Sequence, residues 1–347
     1  MIKLLIVDDS ALMRKLLEKI FNEAGDFGLR IARSGEEALA EIARERPDVV
    51  TLDINMPGMG GLACLDRIMI EHPCPVVMVS SLTAEGERMT LEALRRGAVD
   101  FVTKPAGAIS LEIDTLSAQL LEKVRAASRA RLRGSLRLQE RVRHRIGAEP
   151  ARRKAAPGEG LVLVGTSTGG PPALEMLLQA LPAGFRWPVV VAQHMPAGFT
   201  AALARRLDGL CAITVVELDE PVVLLPGHAY IGKGDADIVI GRTAGALTGM
   251  STAADRLYPW HPSTDRLVRS AMAACAPSRL IGVLMTGMGN DGAQAMAQLY
   301  AEGGRTIAEA EETAVVWGMP GELVKAGGAG WVLPMPEIAP LLKTLAG

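Results

Sequence analysis

Short apolar runs alternate with amphipathic segments along the first 120 residues of the chain. Four apolar runs have the character of buried strands, and each ends in polar residues: LLIVDD, VVTLDI, PVVMVSS and DFVTKP. Between them lie segments of helical spacing, such as Ala11–Glu23 and Glu36–Glu45. This alternation predicts a doubly wound α/β domain, in which helices cover both faces of a parallel sheet.

The same alternation resumes at Leu161 and continues through most of the second half. Its strand-like runs are LVLVGT, PVVVAQH, AITVVEL, HAYIGK, DIVIGR, RLIGVLMT and GRTIAEA. They predict a second doubly wound domain with a mostly parallel sheet. The stretch HAYIGKGDADIVIGR contains a turn between two short β runs, so we expect an antiparallel hairpin beside that sheet.

A basic segment separates the two patterns. Residues 122–154 hold twelve Lys or Arg against three Glu, although the 347-residue chain has a net charge of only −2. Pro and Gly follow in ARRKAAPGEG, which is typical of a linker. We therefore predict a first domain over residues 1–121, a basic linker over 122–158 and a second domain over 159–347.

Cysteine usage and hydropathy limit where the protein functions. Four cysteines lie in apolar or helical contexts without paired spacing, which favours buried thiols in a reducing compartment over disulfides or zinc. The N-terminal apolar run is too short for a signal peptide, and no run approaches the length of a membrane span. We expect a cytoplasmic protein that does not insert into membranes.

Carboxylates follow the strands of the first predicted domain. Asp8 and Asp9 end the first strand, Asp53 ends a later one, and Lys104 follows the last. Functional groups collect at the carboxyl ends of strands in such sheets, and three converging carboxylates favour a hard divalent cation, Mg²⁺ above all. Lys104 can bind phosphoryl oxygens, and Ser80 or Ser81 can donate a hydroxyl. A single Asp at a strand end is more often a turn or cap residue, so the ordered set carries the prediction.

The ordered set DD, D, SS and KP resembles the response-regulator receiver domain over residues 1–120. The resemblance implies a flavodoxin-like fold in which Asp53 accepts a phosphoryl group from a sensor histidine kinase. It also implies roles for the remaining residues of the set. Asp8, Asp9, Asp53 and the backbone carbonyl of Asn55 hold Mg²⁺, and Lys104 is the invariant lysine that binds the phosphoryl group. Ser80 is the switch hydroxyl, and Phe101 occupies the aromatic switch position.

A serine stands in a Gly-rich turn at the start of the second domain. Gly165–Gly169 matches G-x-S-x-G after a predicted strand, and Pro171 and Pro172 open a helix. This arrangement exposes the Ser167 hydroxyl and aims a helix N-terminus at a developing oxyanion. A Gly-rich phosphate loop is the alternative, although neither G-x-G-x-x-G nor Gly-Lys-Ser/Thr is present. The turn by itself leaves an enzyme and a nucleotide binder open.

A histidine and an aspartate at other strand ends favour the enzyme. His194 ends PVVVAQH and would act as general base, with His261 as the second choice among five histidines. Asp291 follows RLIGVLMTGMGN and would orient the imidazole, although it could also cap the helix that comes next. The order Ser, His, Asp differs from that of α/β-hydrolases.

Four motifs downstream of the first domain, GTSTGG, QHMP, TGMGNDGA and WGMP, resemble those of the chemotaxis protein-glutamate methylesterases. The resemblance spans nearly the whole chain. It implies Ser167 as nucleophile, His194 as base and Asp291 as orienting acid, with Thr168 and Met288 helping to form the oxyanion pocket. It also implies that the substrates are glutamate methyl esters and selected glutamines on the cytoplasmic helices of methyl-accepting chemoreceptors, and that the esterase step needs no cofactor.

Two other functions compete with this interpretation. Receivers often precede DNA-binding domains and the linker is basic, but no helix-turn-helix pattern is present, so we expect no DNA binding. A nucleotide-binding module would leave His194 and Asp291 unexplained. On the favoured interpretation, we expect the unphosphorylated receiver to inhibit the esterase and phosphorylation to relieve that inhibition.

Overall fold

A computed structural model describes residues 1–81, 83–104, 113–130, 132 and 160–347. The chain divides into two compact units, Met1–Arg143 and His144–Gly347, and the division falls within the basic segment. Most of the predicted linker, residues 122–158, lies outside the described residues. The predicted domain bounds therefore stay predictions.

The first unit contains one parallel five-stranded sheet, in the order β2-β1-β3-β4-β5. Its strands are β1 (Ile2–Val7), β2 (Phe27–Ala32), β3 (Val49–Asp53), β4 (Val76–Ser80) and β5 (Asp100–Thr103). Its helices are α1 (Ala11–Ala24), α2 (Gly35–Arg44), α3 (Gly61–Glu71), α4 (Ala84–Arg96) and α5 (Ile113–Ser128). The predicted domain end at residue 121 falls inside α5.

Burial on both faces explains the apolar composition of the central strands. Every residue of β3 and β4 is buried, as expected when helices cover a parallel sheet on both sides. Strand β2 was missed in the sequence because Gly28 and Arg30 interrupt its apolar pattern. It is an edge strand of which only the two end residues are buried, so its pattern is weak.

The second unit contains a parallel seven-stranded sheet, in the order β15-β14-β13-β6-β7-β10-β8. Its strands are β6 (Leu161–Thr166), β7 (Val189–Gln193), β8 (Thr214–Leu218), β10 (His228–Gly232), β13 (Leu280–Leu284), β14 (Arg305–Glu309) and β15 (Trp331–Leu333). The helices of this unit are α6 (Gly170–Gln179), α7 (Phe199–Asp208), α8 (Thr264–Ala274), α9 (Ala293–Ala301), α10 (Met319–Lys325) and α11 (Met335–Ala346), with a 3₁₀ turn at Pro277–Arg279.

An antiparallel hairpin accompanies this sheet, as predicted, but it is not formed by the expected runs. Strands β11 (Ala236–Thr243) and β12 (Ala246–Ala253) form it, and β9 (Val222–Val223) pairs with β12. The expected partner of β11, HAYIGK, instead forms β10 within the parallel sheet. Ala244 and Gly245, with φ of 50° and 83°, make the two-residue turn, whose positive φ values match the twist of a hairpin.

All four cysteines are buried free thiols, as predicted, whereas the predicted reducing compartment stays a prediction. Burial raises the pKa of Cys64 to about 12 and that of Cys74 to about 11, so these thiols are unreactive at neutral pH. Within the described ranges, no helix combines the length and the apolar character needed to cross a bilayer.

The contact of β6 with α8 generates a stability prediction. A Cβ at Gly165 would lie 2.4 Å from Thr264 Cγ2 and 2.8 Å from Leu284 Cδ1. Gly165→Ala should therefore destabilise the second unit by about 1–3 kcal/mol through overpacking. Urea unfolding followed by tryptophan fluorescence measures this, because all four tryptophans belong to the second unit.

Gly184→Ala is the matched control, since a Cβ there meets no described atom within 4 Å. It should change stability by less than about 0.5 kcal/mol. Equal stability of the two variants would contradict the close packing of β6 against α8 at Gly165.

Candidate functional site

Three carboxylates converge at one edge of the first sheet. Asp8 follows β1 and Asp53 ends the neighbouring β3, and both are buried, whereas Asp9 is exposed. Oxygen atoms of the three side chains lie within 4.8 Å of one another. Lys104 Nζ reaches two of them, at 3.1 Å from Asp8 Oδ2 and 2.8 Å from Asp53 Oδ2. The structure thus places these four predicted residues together.

Excess negative charge dominates this cluster. Burial raises the pKa of Asp53 above its ordinary value, and the neighbouring Asp8 adds to the effect, although Lys104 opposes it. Burial alone would lower the pKa of Lys104, but its contacts with Asp53 and Asp8 outweigh burial and raise it. Three carboxylates against one ammonium leave negative charge that a hard divalent cation with oxygen ligands would neutralise. The residues present therefore fit Mg²⁺.

Of the other predicted residues of the first unit, Ser80 and Asn55 lie at the same sheet edge, whereas Phe101 is level with Met78 inside the sheet. Ser80 ends β4, and its buried hydroxyl accepts a hydrogen bond from Thr90 Oγ1 at 2.7 Å. The Asn55 N–H donates to Asp53 Oδ1 at 3.2 Å, so this backbone lies beside the cluster. Phe101 is buried in β5, with Lys123 Nζ 5.0 Å from its ring centroid. The roles assigned to them stay predictions.

Strand register brings Ser167 and His194 side by side in the second unit. Strands β6 and β7 are parallel neighbours in which Thr166 pairs with Gln193. Ser167 and His194 each come one residue later, and the His194 N–H donates to Thr166 O at 3.1 Å. Adjacent strands are about 4.8 Å apart, so the two side chains start from neighbouring backbone positions.

Two polar side chains brace the turn that carries the serine. Gln193 Nε2 donates to the carbonyl oxygens of both Ser167 and His194, at 3.1 Å each. Thr286, two residues after β13, accepts the Ser167 N–H at its carbonyl, and its hydroxyl donates to Thr168 O at 2.9 Å. Gln193 belongs to β7 and Thr286 lies just after β13, so their bonds to the carbonyls of Ser167 and Thr168 and to the Ser167 N–H connect the turn to the ends of the two strands that neighbour β6. The serine is therefore held at a defined place on the sheet edge.

His194 and Asp291 form a buried pair. His194 Nε2 lies 2.8 Å from Asp291 Oδ2. Burial by itself raises the pKa of Asp291, but the hydrogen bonds from His194 and from the backbone N–H groups of Asp265 and Thr264 outweigh it and lower the pKa. An ionised carboxylate only accepts, so Nε2 carries the proton. Nδ1 is buried without a hydrogen-bond partner in the described part of the chain, and it is the nitrogen left to accept a proton.

Asp291 also occupies the N-terminus of helix α8. Its oxygens accept from the Thr264 N–H at 2.6 Å, the Asp265 N–H at 3.0 Å and the Ser263 hydroxyl at 3.0 Å. Free N–H groups and the helix dipole both stabilise a carboxylate there. From its place in the sequence, Asp291 could also cap the helix that follows it, α9, but the N-cap of α9 is Gly292 and has no side-chain cap bond. Asp265 accepts the Ala295 N–H of α9 instead.

The second choice for the base, His261, has a different partner. Its Nδ1 lies 2.9 Å from Asp237 Oδ1, so the described part of the second unit contains two Asp–His pairs. Of these two histidines, only His194 directly follows a strand that neighbours β6, the strand that precedes Ser167. The geometry therefore favours His194.

The oxyanion pocket differs from the expectation in one respect. Helix α6 begins behind Ser167, but Pro171 and Pro172 remove two of the N–H groups that its first turn would offer. The Gly170 N–H is also occupied, because it donates to Ser167 O at 2.8 Å. Donors must therefore come from the turn before the helix and from the loop after β13.

That loop passes directly against the nucleophile. A Cβ at Gly287 would lie 2.8 Å from Ser167 Cβ, so only glycine permits the approach. Met288 is the next residue and is partly exposed, whereas Thr168, on the other side of Ser167, is buried. The structure thus places both predicted pocket residues beside Ser167 in the chain or in space.

Several residues of the site were missed in the sequence. Ser263 is the N-cap of α8, a role that the sequence S-T-D makes recognisable, but its hydrogen bond to Asp291 is a tertiary contact. Glu309 is buried at the end of β14 and accepts the Thr286 N–H at 2.8 Å. Trp260 lies beside His194 with the two ring planes 7° from parallel. No local sequence pattern predicts this contact.

Comparisons with known proteins agree with this architecture. The family model described as CheB methylesterase matches residues 162–342, and that of the response regulator receiver domain matches residues 4–113. The chain is 56% identical over 98% of its length to a protein-glutamate methylesterase/protein-glutamine glutaminase of Rhodopseudomonas palustris (96% of that protein is covered), and 53% identical over 98% to one of Rhodospirillum rubrum (95% covered).

A solved structure gives the same picture for the second unit. The crystal structure of the Thermotoga maritima CheB methylesterase catalytic domain is similar with a TM-score of 0.52 and 37% identity. It matches 55% of this chain and 100% of that domain.

The carboxylate cluster of the first unit predicts metal binding. Mg²⁺ should bind the full chain at one site, and Asp53→Asn should weaken binding by at least about tenfold, the loss usual even for an outer-shell partner. Titration calorimetry measures the affinity. Glu23→Gln, at an exposed position of α1, is the matched control and should bind like the original chain. Equal affinity of the Asp53 and Glu23 variants would exclude the cluster as the binding site.

Proposed function

This chain belongs to the family of CheB methylesterases with a response regulator receiver domain, and we propose that it hydrolyses glutamate methyl esters on chemoreceptors under the control of phosphorylation. The observation that carries this proposal is the His194–Asp291 pair at the strand end next to Ser167. The names of the relatives add a second activity, deamidation of protein glutamines, which the same residues can perform on an amide.

Acylation follows from the geometry of the pair. Nδ1 of His194 takes the proton as Ser167 Oγ attacks the ester carbonyl. Asp291 holds the opposite nitrogen and stabilises the imidazolium that forms. Backbone N–H groups near Thr168 and Met288 bind the oxyanion, a contribution of about 3–4 kcal/mol for each donor in comparable sites. Methanol, or ammonia from an amide, leaves with the proton from His194.

Deacylation uses the same groups in reverse. His194 removes a proton from water as the water attacks the glutamyl–Ser167 ester, and it then returns the proton to Ser167 Oγ. The product is a glutamate side chain on the receptor. The bonds from Gln193 and Thr286 hold the serine turn in place through both steps.

Phosphorylation of the first unit is the proposed control. Asp53 would attack the phosphorus of a phosphodonor, which we propose to be a sensor histidine kinase. Lys104, already 2.8 Å from Asp53 Oδ2, would bind the phosphoryl oxygens. Asp8, Asp9, Asp53 and the Asn55 carbonyl would hold Mg²⁺, which screens the negative charge of the incoming group when bound. We assign the receiver to residues 1–121, the linker to 122–158 and the esterase to 159–347.

Methanol release from methylated chemoreceptors tests the esterase assignment. Ser167→Ala should lower the rate by about 10⁶-fold, whereas Asp291→Asn should lower it by about 10⁴-fold, because Asp291 orients the base without reacting. Asp219→Asn, which removes an exposed ion pair with Lys233, should leave the rate unchanged. Near-normal activity of the Ser167 variant would exclude it as the nucleophile.

Control by the receiver predicts a difference between the whole chain and its catalytic part. A fragment beginning near Arg152 should release methanol faster than the unphosphorylated full chain, by roughly tenfold if the inhibited state is favoured by about 1.4 kcal/mol. A small-molecule phosphodonor should accelerate the full chain and leave the fragment unchanged. Asp53→Asn should remove the acceleration together with phosphate uptake. A fragment no faster than the unphosphorylated whole would contradict inhibition and indicate direct activation.

A further inference from the structure

Trp260 contacts two parts of the esterase site at once. Its ring centroid lies 6.1 Å from that of His194 with the planes 7° from parallel, within the range of offset stacking. Trp260 also packs against Gly289, where a Cβ would lie 2.7 Å from Trp260 Cζ2. Gly289 also has φ of 74°, so this position requires glycine both for its backbone and for the contact. The indole thus touches the base and the loop that carries Met288 and Asp291.

A buried carboxylate holds the segment that carries Trp260. Residues 254–263 connect β12 to α8, and Asp237, fully buried on β11, accepts hydrogen bonds from both ends of this connection. The donors are the Asp255 N–H at 2.9 Å, His261 Nδ1 at 2.9 Å and the Ser263 N–H at 2.8 Å. Arg266 Nη1 adds an ion pair at 2.7 Å. Trp260 lies between these fixed points.

We propose that Trp260 is a positioning residue of the esterase, a role that rests on the assignment of Ser167, His194 and Asp291 above. The indole holds the imidazole plane and the Gly287–Gly289 loop in the geometry that proton transfer needs. Asp237 acts through Trp260, because it fixes the segment that carries the indole. Proton transfer from Ser167 requires contact distances and aligned orbitals, so a small rotation of His194 lowers the rate steeply.

Covalent labelling of Ser167 by a fluorophosphonate tests the proposal in the full chain. Ser167 Oγ attacks phosphorus, fluoride leaves, and His194 takes the hydroxyl proton, so the labelling rate measures the activated serine without any receptor. Trp260→Ala should slow labelling by about ten- to a hundredfold. Trp260→Phe keeps an aromatic face and should stay within about threefold of the original. Trp331→Ala, at a partly exposed tryptophan of edge strand β15, should have no effect.

A double-mutant cycle separates positioning from general support of the fold. Asp237→Asn should slow labelling as much as Trp260→Ala, and the double variant should be no slower than either. The reason is that each change abolishes the same contact, that of the indole with His194. Unfolding midpoints are measured in parallel, and Trp260→Leu, which keeps apolar bulk, replaces the alanine variant if alanine lowers the midpoint. Labelling of Trp260→Ala or Trp260→Leu at the original rate, or additive losses in the cycle, would overturn the proposal. Failure of the original chain to label at Ser167 would instead overturn the catalytic assignment.

Discussion

The esterase site depends on the hydrogen bonds that the buried carboxylate of Asp291 accepts. An ionised side chain that is 3% exposed is stable only when several donors surround it, and here they are His194, the Ser263 hydroxyl and two N–H groups of helix α8. The same bonds fix the protonated nitrogen of His194 and leave Nδ1 as the base. They also join three separate elements, the end of β7, the loop after β13 and the start of α8. The hydrogen bonds that set the catalytic geometry of His194 are therefore also the ones that hold these three elements together.

Both units place their site at the carboxyl ends of parallel strands, but the two sites differ in net charge. In the first, Asp8, Asp9 and Asp53 leave negative charge that only one lysine offsets, which suits a metal and a phosphoryl group. In the second, both oxygens of the Asp291 carboxylate accept hydrogen bonds, so its charge is stabilised by these donors, which suits an uncharged serine and histidine. Both sites arise at strand carboxyl ends because that edge of a parallel sheet is open and carries the loops.

Much of this was predictable because strand ends are visible in the sequence. The runs before Ser167 and His194 end together once their strands pair in register, and the acidic residues of the first unit converge for the same reason. The same reasoning failed where tertiary contacts decide. Strand β2 has an interrupted pattern, and the hairpin partner of β11 depends on which run enters the parallel sheet. Trp260 and Asp237 meet the site through contacts between distant segments, which no local pattern shows.

The most direct test of the central claim is a crystal structure of the chain after reaction with a fluorophosphonate. We expect phosphorus bonded to Ser167 Oγ, His194 Nδ1 within hydrogen-bond distance of that oxygen or of the leaving-group position, and the phosphoryl oxygen directed at backbone N–H groups near Thr168 and Met288. Asp291 should keep its bonds to His194 Nε2 and to the start of α8. Phosphorus on another residue, or His194 turned away from Ser167, would contradict the account.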